Sequence, residues 1–168
     1  ISSDQLLILT YSRFTQNDFL NKTKKYGATY IDEHQIKTID SFAKSIIDTD
    51  NKTDVSILSY MFMLYLKNTD PEIIRQNNKL KAIKLIYVDE AQDLNETQYT
   101  ILCLLKEKNG CILNLVGDPN QNIYQFRGSC DTYLVNFSAK TFYLTRNFRS
   151  CEEVINFSRY LRPDKNIQ

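Results

Sequence analysis

Short apolar runs recur along this chain, each closed by a polar cluster and separated from the next by a stretch with helical character. LLILTY (6–11), the LIYV within 84–88, and CILNLVG (111–117) are strand-length and rich in branched residues. QIKTI (35–39) alternates enough for a further strand, and TFYLT (141–145) reads as another. Strands buried on both faces are continuous apolar runs rather than alternating ones. Strands that alternate with helices pair in parallel, because a parallel connection needs a crossover long enough to hold a helix. The sequence therefore predicts an α/β fold, a mainly parallel sheet with helices on both faces. In such sheets ligands gather at the carboxyl ends of the strands.

Local signals place the helices. Thr15 or Asn17 is expected to cap the helix after the first strand, and Gly27 to end it. From Ser41 to about Asp48, Phe42, Ile46 and Ile47 share one side of a helix. VSILSYMFMLYL (55–66) is apolar almost all round, as a packed helix is, and Pro71 suits the first turn of the next. Asn95 and Gln98 have the spacing of an amide capping box, with Gln98, Ile101, Leu102 and Leu105 on one helical face. DTYLVNF (131–137) reads as a short helix or turn. Ser150 and Glu153 have capping-box spacing for a last helix through Leu161.

Composition narrows the function. The chain has 168 residues, 42% apolar and 24% charged, enough for one domain with a core. Its net charge of +1 gives no global basic field, so nucleic acid could bind only through a local surface. Cys103, Cys111, Cys130 and Cys151 are irregularly spaced and the single histidine, His34, has no Cys or His cluster around it, which argues against zinc and against a disulfide framework. The apolar runs are too short to span a membrane, and ISSDQLLILT lacks the plan of a secretory signal. An intracellular protein is expected.

Polar clusters follow three of the expected strands: 89–93, 117–128 and 145–149. An aspartate at a strand tip can hold Mg²⁺, a hard cation that prefers oxygen ligands, and an adjacent glutamate can orient or deprotonate a water. An acidic pair alone also commonly begins a solvated loop. VGDPNQNIYQFRG (116–128) adds a tight turn, the neutral donor Gln121, an aromatic pair and an arginine. YLTRNFRS (143–150) sets an aromatic beside an arginine. Such neighbours can be packing with a snorkelling charge, or can stack a base and clamp a phosphate.

In this order and spacing the segments resemble motifs of the UvrD/Rep-type superfamily 1 helicases. VDEAQDLNETQ looks like motif II (Walker B), VGDPNQNIYQFRG like motif III and LTRNFRS like motif IV. ILTYSRFTQNDF (8–19) is similar to motif Ia, and KTIDSFAKSI (37–46) more loosely to motif Ib. The wording of the last two motifs in the chain is similar to the F-box DNA helicase branch and its viral or bacterial relatives. The resemblance implies a RecA-like motor domain that uses ATP and Mg²⁺ to move single-stranded DNA with 3′→5′ polarity, in repair, recombination or replication. It implies Asp89 as the Mg²⁺ ligand, Glu90 as the water-activating base, and Gln92 and Asp93 as ties between the nucleotide site and its loops. Gln121 would sense the γ-phosphate, Phe148 stack on adenine and Arg149 contact the γ-phosphate. Tyr11, Ser12, Arg13, Thr38, Ser41, Phe126 and Arg127 would face the DNA.

The chain departs from the pattern in two places. Motif Ib usually has histidine before its serine, where this chain has Asp40; a carboxylate repels phosphate, so no DNA contact is carried onto it. No GxxxxGK[ST] occurs, and the four glycines stand at 27, 110, 117 and 128. Without that loop there is no backbone nest for phosphates, so the isolated segment is expected to be inactive. The expected organisation is a partial first motor domain over 1–145, with a reduced helical insertion at about 43–83. Residues 146–168 would carry motif IV and the start of a connection to a second motor domain, the rest of the helicase chain being its partner. The alternative is a non-catalytic helicase-like remnant that binds single-stranded nucleic acid or a partner protein.

Overall fold

The computed structural model describes residues 2–28, 30–47 and 53–161, apart from the side chains of Ser3, Val55, Ser56, Arg127, Arg159 and Leu161. The chain divides into two units, Ile1–Phe137 and Ser138–Gln168.

In the first unit, β1 (Leu6–Thr10), β2 (Ile36–Thr38), β3 (Leu85–Val88) and β4 (Ile112–Leu115) form a sheet in the order β2-β1-β3-β4, with every pair parallel. The helices are α1 (Arg13–Lys25), α2 (Ile39–Ile47), α3 (Val55–Asn68), α4 (Pro71–Gln76), α5 (Glu96–Asn109) and the single turn α6 (Thr132–Val135). The connection from β1 to β2 runs one way across the sheet, and those from β2 to β3 and β3 to β4 run the other. Right-handed crossovers then place α1 on one face and α2 to α5 on the other.

The packing agrees. Leu7, Leu9, Ile86, Val88 and Leu113 share a core with Phe42 of α2, Phe62 of α3 and Leu102 of α5. Phe62 is fully buried and meets Phe42 edge-on, the rings 5.6 Å apart; burying such a side chain contributes about 1.5–3 kcal/mol. On the other face α1 packs on β1 and β2, and Gln16 of α1 donates to the carbonyl of Ile36. Over β3 and β4 that face stays open, with Tyr87 and Ile112 exposed.

Two helix starts stand where local pattern placed them: Asn95 and Gln98 form a full capping box at α5, and Pro71 opens α4, with Asp70 as its cap. One is elsewhere. Ser12, not Thr15 or Asn17, caps α1, its hydroxyl accepting from the Thr15 N–H at 3.2 Å, because the helix begins directly after the strand. Gly27 follows α1 with φ of 76°, a left-handed conformation that suits glycine.

The second unit corrects one expectation. Residues 141–147 form no strand, and their side chains are exposed. TFYLT has the composition of a strand, but a strand is stable only in a ladder, and no partner strand pairs with it among the described residues. The last helix, α7, spans Glu152–Leu161. It starts late enough that Cys151, rather than Ser150, precedes it, with the Cys151 carbonyl accepting from the Ile155 N–H.

Candidate functional site

Neighbouring crossovers diverge between β1 and β3, and the carboxyl ends of those strands frame the crevice expected of such a switch point. A small cavity there is lined by Thr10 at the end of β1 and Tyr11 after it, Asp40 of α2, Asp89 and Glu90 after β3, and Gln98 of α5. The segment after β3 is pinned on both sides: the Asp89 N–H donates to the Leu9 carbonyl and the Ala91 N–H to the Val116 carbonyl. Between these anchors Glu90 takes φ 53° and ψ 44°, the one non-glycine residue with positive φ among the described residues. That conformation costs about 1–3 kcal/mol and is typical of functional sites. A single turn of 3-10 helix, Ala91–Asp93, follows.

The side chains beyond Glu90 form a continuous hydrogen-bonded series. Gln92, 2% exposed, donates from Nε2 to Glu90 Oε2 at 2.7 Å. Its Oε1 accepts the backbone N–H of Asp118 at 3.2 Å. Asp118 accepts from the Asn120 N–H at Oδ1 and from Gln121 Nε2 at Oδ2, the latter at 3.0 Å. Gly117 makes the first crossing possible: a Cβ there would lie 2.3 Å from Gln92 Oε1. The loops after β3 and β4 are thus joined through one buried amide.

Electrostatics mark the same loop. Burial, then the neighbouring Glu90 charge, raises the Asp89 carboxyl above its usual range, and the same two causes raise Asp93. Asp93 is buried, and its Oδ1 has no hydrogen-bond partner among the described residues. A half-buried carboxylate at a strand tip fits a divalent cation that keeps most of its own waters, as Mg²⁺ does. Among the described residues no group of three or more His, Cys, Asp or Glu forms a closed metal cage.

Aromatic residues lie along the rim. Tyr11 stacks on Tyr124, ring centroids 5.1 Å apart, and Tyr124 is tilted against Phe126 at 6.2 Å. Phe126 is 79% exposed. Among known families, the model of the UvrD/REP helicase N-terminal domain matches residues 47–141. The chain belongs to the UvrD/Rep helicase family. Among its relatives is R568 of Acanthamoeba polyphaga mimivirus, named by inference as an ATP-dependent DNA helicase, 42% identical over 166 residues covering 95% of this chain and 24% of that protein. The ATP-dependent DNA helicase PcrA of Staphylococcus epidermidis is 42% identical over 78 residues, 42% of this chain and 10% of PcrA. PcrA of Staphylococcus aureus is 38% identical over 94 residues, 51% of this chain and 12% of PcrA. The chain thus spans a quarter or less of these relatives.

Within this UvrD/Rep chain the remaining expected site residues divide clearly. Ser12 caps α1 and Arg13 is exposed in its first turn. Thr38 and Ser41 spend their hydroxyls on each other's backbone, Ser41 Oγ accepting from the Thr38 N–H at 3.0 Å and Thr38 Oγ1 from the Ser41 N–H at 3.2 Å. The pair caps α2. The side chain of Arg127 lies outside the described residues. In the second unit Phe148 is exposed with Arg146 over its ring at 4.9 Å, and Asn147 Oδ1 accepts from the Arg149 and Ser150 N–H groups.

Three further residues in and around this cleft make contacts that local sequence pattern does not reveal. Asp118 was visible only as part of a tight turn, though Asp before Pro does signal side-chain capping of its own loop. Tyr124 was one of an unresolved aromatic pair. Asp40, set aside as a DNA contact, accepts from the buried Ser59 hydroxyl at 2.5 Å and so ties α2 to α3. No helix among the described residues is long and apolar enough to cross a membrane.

Proposed function

We propose that this chain forms the hydrolysis and coupling face of a first motor domain in an ATP-dependent DNA helicase that moves along single-stranded DNA with 3′→5′ polarity. The observation that carries this reading is the strained Glu90 beside Asp89 at the switch point, hydrogen-bonded through Gln92 to the loop that bears Gln121 and the aromatic rim. Asp89 would hold Mg²⁺, which when bound neutralises phosphate charge. Glu90, its carboxylate oriented by Gln92, accepts the proton of the attacking water. Gln121 reads the terminal phosphate, and Phe148 and Arg149 serve the base and phosphates of the nucleotide.

The aromatic rim supplies the nucleic-acid contact. Exposed Phe126, backed by Tyr124 and Tyr11, gives a sequence-tolerant stacking platform, worth about 1–3 kcal/mol per base. Ser12 and Arg13 at the start of α1 offer a phosphate contact, with Thr38, Ser41 and Arg127 along the same strand path. The phosphate-binding loop absent from this sequence and the second motor domain belong to the rest of the helicase polypeptide, so the segment alone is inactive.

The test is ATP hydrolysis by the full-length protein. Glu90→Gln is expected to lower turnover about 10²–10⁴-fold while leaving nucleotide binding nearly intact. Unchanged turnover in that variant would remove Glu90 from catalysis and the motor reading with it.

A further inference from the structure

We propose that Asp118 is a positioning residue that makes the orientation of Glu90 depend on the state of Gln121. The inference rests on the hydrolytic reading of Glu90 and Gln121 and adds the physical link between them. Gln92 is 2% exposed and both ends of its amide are engaged, Nε2 by Glu90 and Oε1 by the Asp118 N–H. It cannot swing toward one partner without leaving the other. The Glu90 backbone is itself held, with the Asp93 N–H donating to the Glu90 carbonyl and the flanking residues tied to Leu9 and Val116. What remains free is the carboxylate, and Gln92 sets its direction.

Asp118 carries the link outward. Its backbone N–H holds Gln92, while its two carboxylate oxygens hold the Asn120 N–H and Gln121 Nε2. A phosphate that draws the exposed Gln121 side chain toward itself pulls its amide away from Asp118 Oδ2. That exchange leaves Asp118 free to shift, and a shift of its N–H is felt by Gln92 and hence by Glu90. Packing transmits it, because there is no slack at Gly117: Gln92 Oε1 already fills the space a Cβ would need, and the Ala91 backbone nitrogen lies 3.0 Å from the same point.

Asp118→Asn separates this role from simple turn formation. The amide oxygen still accepts from Asn120, whereas the NH₂ group can no longer accept from Gln121 Nε2, and Gln121 keeps a bond there only by turning its own amide oxygen inward. In the full-length protein, ATP turnover is followed against single-stranded DNA concentration. Asp118→Asn is expected to lower kcat about tenfold and flatten the DNA stimulation, with KM for ATP and DNA affinity within about twofold of wild type. Combined with Gln121→Ala it is expected to be no slower than the slower single variant, since both cut one series. Asp118→Ser, whose hydroxyl can still accept from Asn120, replaces it if the Asn variant does not fold. Wild-type kcat and stimulation, or fully additive losses, would overturn the proposal. Glu90→Gln in the same assay separates the two readings: if it is inactive while Asp118→Asn behaves as wild type, only the relay fails, and if it keeps full turnover, the hydrolytic reading fails.

Discussion

Tyr11 and Tyr124 stack with their ring centroids 5.1 Å apart and their planes 20° from parallel. They follow β1 and β4, which are not neighbours, since β3 lies between them. The stack therefore spans the end of β3, where Asp89 and Glu90 begin. The aromatic rim and the acidic loop are parts of one arrangement, with the rim's outermost ring, Phe126, left exposed.

Phe126→Ala should therefore act on binding rather than stability. Little buried surface is lost, but one base loses its platform, at about 1–3 kcal/mol or roughly 5- to 150-fold in affinity. Fluorescence anisotropy with a labelled single-stranded oligonucleotide measures this, and unaltered affinity would withdraw the stacking role.

Gly117→Ala should be damaging although glycine's φ there is not positive. The new methyl meets Gln92 Oε1 at 2.3 Å and Ala91 N at 3.0 Å, so either the buried amide or the backbone must yield. Overpacking of this kind costs about 1–3 kcal/mol. Chemical denaturation of the variant reads the loss, and a midpoint equal to wild type would show that the loop opens freely.

Asp93→Asn should stabilise the protein in a pH-dependent way. The Asp93 carboxyl is raised in the folded state by burial first and by Glu90 second. The folded protein then holds a proton that the unfolded chain has already released, so stability falls as pH rises from the unfolded value, about 3.9, through the raised folded one. Removing the charge should raise the melting temperature at neutral pH, and the advantage should disappear below about pH 4. A constant or reversed difference between the melting curves would contradict this.

Asp40→Ala should loosen α2 from α3. The Ser59 hydroxyl, buried and donating to Asp40 Oδ1, would be left without that acceptor, a loss of about 1–3 kcal/mol. Thermal unfolding checks it. A variant as stable as wild type would show that the contact is incidental.

The segments that could be read from the sequence were those whose signal is local. LLILT is a continuous apolar run because β1 is buried along nearly its whole length, LIYV and ILNL are largely apolar although β3 and β4 each leave one residue exposed, and Asn95 with Gln98 is a capping box only three residues across. TFYLT carries the same local signal yet forms no strand, because propensity cannot supply a ladder partner. Ser12 displaced Thr15 as a cap because the helix start depends on where the strand releases the chain. Asp89, Glu90 and Gln121 were legible as chemistry, but Asp118 and Tyr124 were not, because their partners, Gln92 and Tyr11, are far away in sequence.

From the order of its residues alone, the chain determined an alternating α/β architecture and the kinds of side chain gathered at its strand ends. Tertiary structure decided which of them touch: Gln92 between Glu90 and Asp118, Tyr11 on Tyr124, Thr38 with Ser41 rather than with solvent. Hydrogen bonds and ring stacks act over only a few ångströms, so they depend on strand order and register. Those are set by long-range packing, which no local stretch of sequence contains.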